Sequence, residues 1–182
     1  MRLEKWFIGA AIGWAAALPV ATLVAAQVRT WPALSIAGLA VYAAGSIVCH
    51  QLPDRSFHIW SMQMPVCARC TGLYAGAAIA AVGLLSRVRR VGGDVSRGGK
   101  AVRGTLLAAA LPTAASLVVE WSTGVTPPNA VRALAGLPLG AAIAWVIGAA
   151  LGESAHGAPA RSGAGRRGPP RATSRGSGRS PV

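Results

Sequence analysis

CHQLPDRSFHIWSMQMPVCARC, residues 49–70, is the stretch from which the rest of the chain is read. It holds all three cysteines (Cys49, Cys67 and Cys70) and two of the three histidines (His50 and His58). Long apolar runs flank it on both sides. A polar, cysteine-containing segment between two such runs reads as a connection at a membrane surface, with any chemistry concentrated in it.

Working outward, the apolar runs set the fold class. A helix crosses the roughly 30 Å hydrocarbon core with about 20 apolar residues, within a range of about 17–25. Five runs approach this length, at about 6–27, 33–52, 66–86, 105–121 and 133–151. With 53% hydrophobic residues in 182, the expectation is an all-α polytopic membrane helix bundle of about five transmembrane helices over residues 1–151. Five such runs exceed what one small soluble core requires. For the first run, Val24-Ala25-Ala26 resembles a signal cleavage site, but the apolar stretch exceeds the about 7–15 residues of a signal core. An uncleaved helix is the preferred reading. In the central stretch, Pro53 is expected to end the second helix and Pro65 to open the third. That puts Cys49 and His50 in a last helical turn, and Cys67 and Cys70 in a first.

The net charge is +13, from 18 Lys+Arg against 5 Asp+Glu. In a soluble protein this would suggest nucleic acid. Here the basic residues gather in a loop at 87–104 and in an Arg/Gly/Pro/Ser-rich tail at 152–182, which contains six arginines. The tail lacks large apolar residues and is expected to be disordered. The expected partners are the lipid bilayer and its anionic lipids, not nucleic acid. The positive-inside rule puts loop and tail in the cytoplasm. By parity the cysteine/histidine site faces outward from the inner (plasma) membrane, and five spans place the N-terminus outside too. Arg2 and Lys5 weigh against that last step. Glycine pairs one turn apart (Gly9/Gly13, Gly72/Gly76, Gly136/Gly140 and Gly148/Gly152) are expected to pack helices within the bundle.

Three readings of the cysteines stay open. In the leading one, Cys49, Cys67 and Cys70, with His50 or alternatively His58, hold zinc or another transition metal, since three thiolates and an imidazole suit a tetrahedral ion. In the second, Cys67 and Cys70 form the catalytic pair of a membrane thiol–disulfide oxidoreductase. A helix N-terminus and Arg69 would both favour a thiolate there. In the third, the cysteines pack a structural or transport-related protein without catalysis. Whether the chain is an enzyme is open. Arg69, Glu120, Asn129 and Arg132 are candidate ligand-binding residues at the same level, with Glu120 and Arg132 as the natural ion pair. Trp31, Trp60 and Trp121 read as interface anchors.

These residues also carry a family resemblance. Cys49-His50-Gln51, Arg55-Ser56-Phe57, Pro65-Val66-Cys67-Ala68-Arg69-Cys70-Thr71-Gly72 and Tyr74 resemble the signature of the predicted bacterial and archaeal membrane proteins grouped as domain of unknown function 2085. Glu120, Asn129-Ala130-Val131-Arg132, Gly136 and Gly140 are similar to that family's second half. Here Glu120 stands where Asp is usual, and Ala135 where a Thr is expected. The resemblance covers about residues 40–145. It implies a membrane protein with a site at these positions and says nothing of its chemistry.

Overall fold

The computed structural model describes residues 2–27, 30, 32–87 and 99–156. Residues 157–182 of the expected tail, residues 88–98 of the basic segment, and Trp31 lie outside the described residues. Among the described residues there are five α-helices: α1 (Arg2–Ala26), α2 (Pro32–Val48), α3 (Ala68–Arg87), α4 (Gly99–Thr123) and α5 (Asn129–His156). Between α2 and α3 come a 3₁₀ turn at Pro53–Arg55 and an antiparallel hairpin, β1 (Ser56–Ile59) and β2 (Met62–Cys67). Among the described residues, α1, α3, α4 and α5 are long and apolar enough to cross a membrane, whereas α2 is shorter. The basic loop and the tail were each drawn too wide: α4 already begins at Gly99, and α5 runs on to His156.

The tightest packing joins α3 to α5, running parallel. A Cβ on Gly72 or Gly76 would overlap the carbonyl oxygens of Ala133 and Leu137. One on Gly136 or Gly140 would overlap those of Arg69 and Leu73. The two backbones therefore touch along successive turns, which only glycine permits. Gly148 meets the side chain of Leu84 further along. A Cβ on Gly9 or Gly13, of the same spacing, would meet nothing within 4 Å among the described residues.

α1 runs antiparallel to α3. Ile8 packs against Ala81 and Leu84 with Trp145 beside them, the Trp14 ring stands edge-on to Tyr74 at 5.9 Å, and Leu18 meets Cys49 and Val66. The start of α1 therefore lies at the same end of the bundle as the C-terminal halves of α3 and α5. This corrects the expectation that the N-terminus shares an end with the cysteines. The reason is α2. It folds back on the C-terminal half of α1, with Gly38 against Val24 and Ala21, and its main neighbours are α1 and β2. Among the described residues α2 is the apolar run that falls short of the length of the four helices able to cross a membrane.

The segment between α2 and α3 also departs from expectation. α2 stops at Val48 instead of reaching residue 52, and α3 starts at Ala68 instead of residue 66. Gln51, just past the helix end, has φ 49°, a left-handed backbone that a continuing helix does not allow. Residues 62–67 are committed to the strand, which buries Met64, Pro65 and Val66 beneath the site. Pro65 cannot donate to a ladder but is tolerated in this edge-only hairpin. At the tip, Trp60 and Ser61 both have positive φ (52° and 61°), as a two-residue hairpin turn requires.

Candidate thiol and arginine site

Three sulfurs converge where α2 ends and α3 begins. Cys49 follows the last residue of α2, and its N–H donates to Gly45 O at 2.9 Å. Cys67 is the last residue of β2 and stands in the N-cap position of α3, and Cys70 lies in that helix's first turn. Their Sγ atoms all lie within 4.8 Å of one another. The Cys67 N–H also donates to Cys49 Sγ at 3.2 Å. Cys49 is buried, the other two are half-buried, and all three are free thiols.

The Cys67 thiol is held well below the ordinary thiol range, at about 5, chiefly by a hydrogen bond from the Cys70 side chain. The backbone N–H groups of Cys70 and Arg69 and a hydrogen bond with Cys49 assist, against the opposing effect of burial. A sulfur at an N-cap accepts amides that would otherwise lack a partner, which favours the thiolate.

The strand and turn are pinned by side chains whose donors meet backbone carbonyls. Gln51 Nε2 donates to Tyr42 O at 2.8 Å and Pro65 O at 2.7 Å. Gln63 Nε2 returns a hydrogen bond to Gln51 O, and the Tyr42 hydroxyl donates to Gln63 O. Ser56, fully buried, donates to Leu52 O at 2.9 Å. Asn129 Nδ2 donates to Ser56 O at 2.9 Å, tying the start of α5 to the hairpin.

Beside the sulfurs lies a charge cluster centred on Glu120, near the end of α4 and 5% exposed. Its Oε2 accepts from Arg69 Nη2 at 3.2 Å, and its Oε1 meets Arg132 Nη2 and, at 3.2 Å, Arg55 Nη2. Arg69 Nη2 also donates to Ser116 Oγ at 3.0 Å. Arg132 is 1% exposed. Arg69 Nε, Arg132 Nε and Arg132 Nη1 are buried with no acceptor. A pocket of about 250 Å³ joins the two halves, lined by the three cysteines and by Arg55, Arg69 and Arg132.

Of the residues singled out from sequence, Cys49, Cys67 and Cys70 meet, and Glu120, Arg132 and Arg69 meet. His50 also lines the pocket but is exposed and stands outside the sulfur group; His58 is exposed on β1 and also outside it. Asn129 bonds to the hairpin backbone and is not among the residues lining the pocket. Arg55 stood in the family signature, but its ion pair with Glu120 was not anticipated; Ser116, Gln63 and Tyr42 were not anticipated at the site. The alternation Phe57, Ile59 and Met62, Met64, Val66 was the available signal for the hairpin, and hence for Arg55 at its base.

Residues 49–146 match the family described as "Predicted membrane protein (DUF2085)". Over 49 residues the chain is 49% identical to an uncharacterised protein of Methanocaldococcus jannaschii, covering 27% of this chain and 30% of that one. Over 30 residues it is 50% identical to an uncharacterised protein of Methanothermobacter thermautotrophicus, covering 16% of this chain and 27% of that one. The chain thus spans less than a third of the length of either relative. No solved structure matches it. With a match over more than half its length, and helices long and apolar enough to cross a bilayer, the chain belongs to the DUF2085 family of predicted membrane proteins.

Proposed function

We propose that this membrane protein binds a transition-metal ion, zinc by preference, through Cys49, Cys67 and Cys70. The observation that carries the reading is the meeting of three sulfurs within 4.8 Å on three different backbone elements. Thiolates on a tetrahedral ion at about 2.3 Å stand roughly 3.8 Å apart, so small side-chain movements close the site. The N-cap position of Cys67 supplies one ligand as a thiolate near neutral pH. A fourth position faces the pocket, whose wall includes His50.

Metal analysis of protein purified anaerobically tests this. One ion per chain is expected, lost in Cys49→Ser and Cys67→Ser. His50→Ala should weaken it by no more than about tenfold, because the thiolates supply most of the binding. A metal-free protein holding a Cys67–Cys70 disulfide would instead establish the thiol–disulfide reading, which the lowered Cys67 pKa favours.

The protein is further proposed to sit in the inner membrane with this site outward and the basic segment 87–104 and tail cytoplasmic. The antiparallel α1 supports that sidedness, because it puts Arg2 and Lys5 at the end from which α3 leads to the basic segment. The bilayer and its anionic lipids are the proposed partners of these basic stretches, and Trp60 and Trp121, both exposed, are the proposed interface anchors.

A further inference from the structure

The arginines exceed what Glu120 can neutralise. Three guanidinium groups meet one carboxylate, so 3 − 1 leaves an excess of two positive charges before the cysteines are counted. A buried polar group without a partner is costly, and more so when charged. Arg132 is 1% exposed, yet its Nε and Nη1 have no acceptor, and Arg69 Nε has none either. All three arginines line one pocket of about 250 Å³. The first turn of α3, with Arg69 and Cys70, lies there as well, and a helix N-terminus adds positive potential.

We propose that this pocket is a binding site for a small oxyanion of the phosphate class, held by Arg55, Arg69 and Arg132 beside the sulfurs. A phosphate group in the pocket offers several acceptor oxygens to the guanidinium groups that line it, and its charge offsets the excess. At about 30 Å³ per water, the pocket has room for roughly eight waters, which accommodates such a group with a short substituent. The oxyanion is a free ion or the headgroup of a lipid; both present the same chemistry to the arginines. The site stands whether or not the sulfurs carry a metal.

The test is calorimetric titration of the detergent-solubilised full chain after chelation, with inorganic phosphate, sulfate and chloride as probes. Saturable one-to-one binding of phosphate and sulfate, with chloride inert, is expected. Arg55→Gln, which changes the half-exposed member of the three, should weaken phosphate about tenfold. Arg132→Lys keeps the charge and should weaken it as well. Two results would overturn the proposal: no saturable binding of phosphate up to about 10 mM by folded wild-type protein, or equal affinities in wild type and both variants. A preference for chloride would also overturn it. Soluble dihexanoyl phosphatidic acid separates the sources. Binding more than about tenfold tighter than inorganic phosphate identifies a lipid headgroup, and equal or weaker binding identifies a free oxyanion.

Discussion

Glu120 is the residue on which the cysteine end of the bundle depends. It is the shared acceptor for arginines from the hairpin base, α3 and α5, and its side chain is almost fully buried. Removing one partner of a buried ion pair costs about 3–5 kcal/mol, because the remaining charges stay desolvated. Glu120→Gln is therefore expected to lower stability by about that amount, read as thermal unfolding in detergent. Asp54→Asn, at an exposed acid in the same segment, should stay within about 0.5 kcal/mol of wild type. The Glu120–Arg132 pair was legible from sequence because a lone acid and a lone base at matching depth have few other partners. Arg55 was legible as part of the signature beside the cysteines, but not as a partner of Glu120, because its place depends on a turn and hairpin that helix-length arithmetic overlooks. His50 was legible as a neighbour of the cysteines, but it stays exposed and outside the sulfur group.

Among the elements, the parallel α3–α5 pair is the rigid centre. Its glycines make a sharp internal comparison. Gly140→Ala places a methyl on the Leu73 carbonyl, and the backbones must separate. A loss of about 1–3 kcal/mol or more is expected. Gly13→Ala meets nothing within 4 Å, so it should be neutral or slightly stabilising through helix propensity. Intrinsic tryptophan fluorescence on heating distinguishes the two, and equal effects would mean that the glycine contacts do not hold α3 to α5. The spacing of four was visible in the sequence at both pairs. Which of them packs depends on the neighbour each face meets, which no single-helix pattern contains. The hairpin was missed for a related reason: its two alternating runs are short, and two prolines invited a reading as helix ends.

For the whole molecule, the informative comparison is between four and five crossings. The sequence makes α2 as apolar as its neighbours, so composition cannot separate a crossing from a helix folded back on α1. The clue lay in Arg2 and Lys5, whose charge opposed an outward N-terminus. An alkaline phosphatase reporter inserted after Gln27 is expected to be active. One inserted after residue 87 should be inactive, since the first position belongs to the cysteine end and the second to the basic end. A reporter inactive after Gln27 would restore the five-crossing arrangement.

Cys49, Cys67 and Cys70 lie within one short run of the chain, whereas the arginine cluster draws on the hairpin base, α3, α4 and α5. Contacts close in sequence need little loop closure, and distant ones must wait for the elements that make them. During synthesis the three sulfurs are all present long before Glu120 and Arg132 have been made. The thiols, with Arg55 and Arg69, are thus in place before Glu120 and Arg132 arrive. An ion captured at that stage would find its pocket still open, and docking α4 and α5 would then close it.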